Sequence, residues 1–190
     1  MATKMRKKIE DIPAVHISNP KTLEFQVART SLLPGLLKTV QANRKMPLPL
    51  KLFEISDVVL RDPGAEVGAR NQRHMAAVFY NKSPGFEIIH GLLDRIMQLL
   101  EVPPAKVRGN LDRIIHRILT FLDISQDQTS TDGYYIRQGA DPAYFPGRAA
   151  DIVAYGQVVG SLGVVHPDTV TAFDLNLPCS ALEINVEPFL

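Results

Sequence analysis

The residues best suited to chemistry are five histidines, at positions 16, 74, 90, 116 and 166, and a single cysteine, Cys179. No His-x-x-x-His or Cys-x-x-Cys spacing links them, so the chain has no local metal motif. Gly160-Ser161-Leu162-Gly163 lacks the Gly-x-Ser-x-Gly spacing of a nucleophile elbow and reads as a bend within a hairpin strand. Cys179 lies between Pro178 and Ser180, with no neighbour in sequence that would stabilise a thiolate. One cysteine makes no internal disulfide, which fits a reducing compartment. There is no Gly-rich phosphate loop. A catalytic site would therefore have to be assembled from scattered residues such as His74, His90 and Arg148, and would show as a polar concave pocket with perturbed groups. His116, on the polar side of an amphipathic run, is expected to be solvated.

The 190 residues are 45% hydrophobic and 22% charged, a globular composition suited to one core. No apolar run approaches the roughly 18 residues of a membrane-spanning helix. The basic start carries Glu10 and Asp11 and no apolar stretch, so neither a secretory nor a mitochondrial leader is expected. Lys4, Arg6, Lys7 and Lys8 are expected to form a frayed basic terminus. Net charge is only +1, but it is unevenly spread: residues 1–95 carry 15 Lys/Arg against 9 Asp/Glu, and residues 96–190 carry 6 against 11. A basic first half admits an alternative function, a tRNA- or RNA-binding module whose affinity would fall steeply with salt. The expectation from composition is a soluble, intracellular protein.

Periodicity places the elements that must position these residues. Leu23 to Ala28 is a short extended candidate. Ser31 reads as an N-cap with Pro34 in the first turn, and Leu33, Leu36, Leu37 and Val40 recur at helical spacing up to the prolines at 47 and 49. Leu50 to Leu60 reads as a strand closed by Asp62-Pro63-Gly64, with a polar loop to Arg73 and a second strand from Met75 to Tyr80. Ser83-Pro84 predicts a helix start, and Phe86, Ile89, Leu93, Ile96 and Leu100 form its apolar stripe. A further amphipathic helix spans Leu111 to Leu122. The remainder reads as β: Tyr134 to Arg137, a hairpin of Ile152 to Tyr155 and Val158 to Val165 turning at Gly156-Gln157, and a final alternating strand from Leu182 to Val186. The sum is an α+β domain, an antiparallel sheet with helices on one face.

Read in order, three groups of segments carry a resemblance. Asn19-Pro20, the run Val27-Ala28-Arg29-Thr30-Ser31-Leu32-Leu33-Pro34-Gly35-Leu36-Leu37 and Leu52-Phe53-Glu54-Ile55 form the first. Asn81 to Phe86 forms the second, and Phe145-Pro146-Gly147-Arg148, His166-Pro167-Asp168 and Leu182 to Val186 form the third. Together they resemble the catalytic-like module of the phenylalanyl-tRNA synthetase β subunit, eukaryotic cytosolic type. The resemblance runs from about Ala14 to Pro104 and from Gly133 to Leu190. Residues 1–13 stand outside it as an N-terminal tail, residues 14–190 form the synthetase-like domain, and about 105–132 stands as a divergent helical insertion.

This resemblance implies a class II aminoacyl-tRNA synthetase-like antiparallel sheet flanked by helices, without an active site. Class II adenylation stabilises phosphate charge with fixed arginines. The Phe-Arg-x-Glu type signature that carries one of them is missing, and no Gly-rich strand-to-helix element for the other follows the final strand. The segment is expected to be non-catalytic, with no cofactor of its own; ATP and magnesium belong to the complete enzyme. The implied partner is the catalytic α subunit in an α2β2 assembly in the cytoplasm, with tRNA(Phe) reached through the complex. The helix from Ser31 to Asn43 and the strand after it match the place of the class II dimerisation motif. Arg29, Leu33, Leu36, Leu37, Val40 and Arg44 are therefore the subunit-interface candidates. Packing on their own sheet is the competing expectation for the four apolar ones, because an amphipathic helix serves its own core first.

Overall fold

The computed structural model describes residues 2–22, 26–105 and 133–190. The expected helix at 111–122, His116 and nearly all of the insertion lie outside the described residues, as does the start of the extended candidate at 23–28; Val27 makes an isolated antiparallel bridge to His16.

Six antiparallel strands form one sheet: β1 (Leu50–Arg61), β2 (Ala69–Tyr80), β3 (Tyr134–Gln138), β4 (Tyr144–Ala154), β5 (Gln157–Val165) and β6 (Cys179–Asn185), in the spatial order β1-β2-β6-β5-β4-β3. Three helices accompany them among the described residues: α1 (Leu33–Ala42), α2 (Phe86–Leu99) and α3 (Pro167–Ala172).

The helices are not on one face. Val78, Tyr80, Cys179 and Ala181 pack with Leu33, Leu36, Leu37 and Val40 of α1. Their strand neighbours Phe79, Leu182 and Ile184 pack with Ile89, Leu93 and Met97 of α2. Successive strand side chains point to opposite faces, so α1 and α2 lie on opposite sides of the sheet. That corrects the one-sided arrangement. It also explains why β6 is buried along almost its whole length, rather than half-buried as its alternation suggests.

Several boundaries move for reasons of pairing. Of the stretch expected as a loop up to Arg73, residues 65–68 form the turn and the part from Ala69 on belongs to β2, because β1 and β2 pair without a break from Leu50↔Tyr80 to Arg61↔Ala69. Its polar residues stand where the hairpin extends past the core, and Arg73–Asp57 and Arg70–Asp62 ion pairs join strand and strand end there. β4 begins eight residues earlier than Ile152, with an irregularity between Tyr144 and Ala149 that carries Phe-Pro-Gly-Arg out of register. The β4–β5 turn is Tyr155-Gly156, both at positive φ, rather than Gly156-Gln157. α2 starts after Gly85 instead of Ser83. α3, too short to show periodicity, was not foreseen.

The basic start is not frayed. Met5 is buried in the α1-side core. Lys7 Nζ donates to Asp141 at 2.6 Å, Arg6 reaches Asp168 at 3.7 Å, and Lys4 lies over the Phe173 ring.

Candidate functional site

The densest polar cluster sits where the N-terminus of α1 meets the middle of the sheet, and Glu183 of β6 is its centre. Ser31 Oγ donates to Glu183 Oε2 at 2.6 Å. The Leu32 and Leu33 N–H groups donate to its two oxygens at 3.0 and 3.3 Å. His74 Nδ1, on the neighbouring strand β2, lies 2.9 Å from Oε1, and its Nε2 faces the Gln72 side chain at 2.9 Å. The expected cap, Ser31, accepts only a long bond from Leu33 N–H at 3.3 Å, and α1 begins two residues later than it. The helix is capped by a carboxylate 150 residues away in sequence. Negative charge there also complements the helix dipole.

Burial works to raise the Glu183 carboxyl, but hydrogen bonds from His74, Ser31 and the Leu32 N–H outweigh it and hold the group below its ordinary value. Glu183 is thus a buried carboxylate with its acceptor capacity occupied.

A pocket of about 190 Å³ opens beside it, between α1, β2, β5 and β6 and the N-terminal segment. Its other ionisable wall, Asp141, accepts from Lys7 Nζ and from the Ala143 N–H at 2.9 Å. Tyr144, fully buried at the pocket's edge, has its phenol raised by desolvation, so it stays protonated. Among the described residues no arginine lines the pocket, and its one lysine is spent on Asp141. Both carboxylates are thus taken up by donors of the chain's own, Glu183 by Ser31, His74 and two backbone N–H groups and Asp141 by Lys7 and the Ala143 N–H. No group of three His, Cys, Asp or Glu among the described residues is placed to hold a metal. Cys179 is buried on the α1 side and desolvation pushes its thiol up to about 12, which makes it inert as a nucleophile.

Of the scattered set His74, His90 and Arg148, only His74 reaches the pocket. Among the interface candidates, Leu33, Leu36, Leu37 and Val40 are at most 4% exposed and packed on the sheet, so none offers surface to a partner. Arg29 and Arg44 are on the outside. Arg29 bridges Glu54 at 2.8 Å, Ser56 and the Asp57 carbonyl, and Arg44 donates to the Asp174 carbonyl at 3.1 Å. Glu183 was missed because its alternation in the last strand places it on a face that the sequence assigns to solvent. The only signal pointing to it is an acidic residue between Leu182 and Ile184, which any solvated strand also shows.

A family model described as the phenylalanyl-tRNA synthetase beta chain CLM domain matches residues 2–186. The chain is 60% identical over 190 residues to the human phenylalanine–tRNA ligase beta subunit and 55% identical over 187 residues to that of Drosophila melanogaster. It is 42% identical over 182 residues to the Arabidopsis thaliana protein, whose name adds that it is cytoplasmic. These matches cover 100%, 98% and 95% of this chain, and the chain spans about 28% of each relative's length. A match that takes in the N-terminal segment and the stretch at 105–132, on a fold whose polar centre caps a helix, gives the family: the chain belongs to the phenylalanyl-tRNA synthetase β-chain CLM domains.

Proposed function

We propose that this chain is a non-catalytic, class II synthetase-like module of a phenylalanine–tRNA ligase β subunit. It packs on the catalytic α subunit of an α2β2 enzyme and supports attachment of phenylalanine to tRNA(Phe) in the cytoplasm. The observation that carries the reading is Glu183: the one buried carboxylate beside the pocket is saturated by Ser31, His74 and two backbone N–H groups, and serves to hold α1. A group so occupied has no lone pair left for general acid–base work. The ATP and magnesium of the complete enzyme then act on the α subunit.

Arg29 and Arg44 are the interface candidates that stand at the surface of the α1–β1 region, and the four buried leucine and valine side chains support it from beneath. The RNA-binding alternative draws on a basic half whose Arg29, Arg70 and Arg73 are already paired with Glu54, Asp62 and Asp57. Co-expression with a cytosolic α subunit, followed by size-exclusion chromatography with light scattering, tests the proposal. Co-elution as a defined assembly is expected, weakened by Arg44→Glu. A chain that never co-elutes with α overturns it.

A further inference from the structure

Among the described residues, no backbone hydrogen bond ties residues 2–12 to the sheet or to a helix. Their backbone bonds are local: the Met5, Arg6 and Lys7 N–H groups reach back to Ala2 and Thr3, Asp11 to Lys8, and the Ile12 carbonyl forward to Ala14. The first backbone bond to the sheet comes at Pro13, whose carbonyl takes the Arg61 N–H. Side chains hold the segment instead. Met5 is 5% exposed and enters the α1-side core. Lys7 Nζ meets Asp141 at 2.6 Å with both groups part-buried, whereas the Arg6–Asp168 pair is 3.7 Å long and its carboxylate 71% exposed. Lys4 lies 5.3 Å over the Phe173 ring. Exposed ion pairs contribute little, so Met5 and the Lys7–Asp141 pair are the main anchors.

Both anchors are also pocket walls: Met5, Lys7 and Asp141 line the same pocket as Ser31 and Leu33 at the start of α1. A piece of chain with one buried side chain, one close ion pair and no backbone tie costs little to lift from a fold. Arg6 turns the segment in a left-handed conformation (φ 59°) that a residue with a side chain avoids, and lifting relieves it. We infer that residues 2–12 are a strap over the Glu183 pocket that opens and closes as one piece while the rest of the domain stays folded, with the Lys7–Asp141 pair as its latch. Closed, it keeps bulk water from the bonds by which Ser31, His74 and the Leu32 and Leu33 N–H groups hold Glu183. Open, it admits water to them and loosens the start of α1. Because the latch is one ammonium on one carboxylate, raised salt favours the open form. The inference concerns this chain alone and stands whether or not α binds.

Cysteine labelling of the 190-residue chain tests it. Met5→Cys places a thiol that is covered only while the strap is closed, and Cys179, fully buried, reports global unfolding in the same molecule. Iodoacetamide is expected to modify position 5 at least about tenfold faster than position 179, and more slowly than a cysteine in the unfolded chain. Asp141→Asn keeps the acceptor for the Ala143 N–H but removes the latch charge, and should speed labelling at position 5 about threefold. Leu93→Ala, beneath α2, should speed labelling at 179 and leave position 5 unchanged, because the open form keeps the α2 core. Trypsin cutting after Lys7 or Lys8, with Met5 in place, should respond to the two variants as position 5 does. So should hydrogen exchange of the Leu32 N–H, which reports the start of α1. Positions 5 and 179 reacting at one rate overturn the inference, as does Leu93→Ala speeding both equally. Position 5 reacting as in the unfolded chain, or indifferent to Asp141→Asn, overturns it too. A Leu32 exchange rate that follows Cys179 overturns the gating of α1.

Discussion

Strand β6 meets a helix on each face and holds the two by different chemistry. On one face Glu183 offers a carboxylate to the N-terminus of α1, drawing in Ser31 and His74 as well. On the other, Ser180 offers a hydroxyl oxygen to the Gly85 N–H at the start of α2, 3.1 Å away. α2 is otherwise fixed by fit: a Cβ on Gly85 would stand 2.4 Å from the Phe79 ring, so the chain enters this helix against an aromatic face. α1 is therefore located by charge and hydrogen bonding and α2 by shape. Placement by charge can be weakened by pH. Placement by shape is weakened only by changing volume.

Variants grade that contrast. Leu37→Ala beneath α1 and Leu93→Ala beneath α2 remove equally buried side chains, and each is expected to cost about 2–5 kcal/mol in denaturant unfolding. Near-equal losses would show that both helices rest on apolar burial and differ only at their ends. Glu183→Ala is expected to cost about 3 kcal/mol, since it strands Ser31, two N–H groups and His74 in a buried site.

The pH dependence separates the faces further. The folded Glu183 value lies below the unfolded 4.5, so its contribution is fully present above pH 4.5 and is lost as pH falls through the lower folded value. Acid unfolding of Glu183→Gln should begin from a lower stability and show a shallower fall over that range. Gly85→Ala should cost about 1–3 kcal/mol by overpacking against Phe79, with no change in the acid limb. Ser180→Ala, the smallest change, should cost about 1 kcal/mol. A loss at Ser180 equal to that at Glu183 would erase the distinction between the two faces.

The same contrast separates what the sequence discloses from what it hides. The leucines of α1 and the stripe of α2 are visible because burial repeats every three to four residues, and β1 because its apolar types cluster. The long ends of β2 and β4 are hidden because polar residues there pair along strands that outrun the core. The candidate interface divided along the same line: the periodic leucines mark a buried helix face, and periodicity does not say whether the cover is the chain's own sheet or a partner.

By itself the sequence determined the main helices α1 and α2, the apolar parts of the strands, the α+β class, and the family, since each is written in local spacing or in short runs such as Arg29 to Leu37. Only the tertiary structure decided that the helices take opposite faces, that Glu183 turns inward to cap α1, and that the basic start lies along the pocket instead of fraying. The reason is the range of the interactions. A side chain's period reports its own element, whereas the burial of Glu183 depends on a helix start 150 positions away, and the place of Met5 depends on a core that α1 and the sheet assemble.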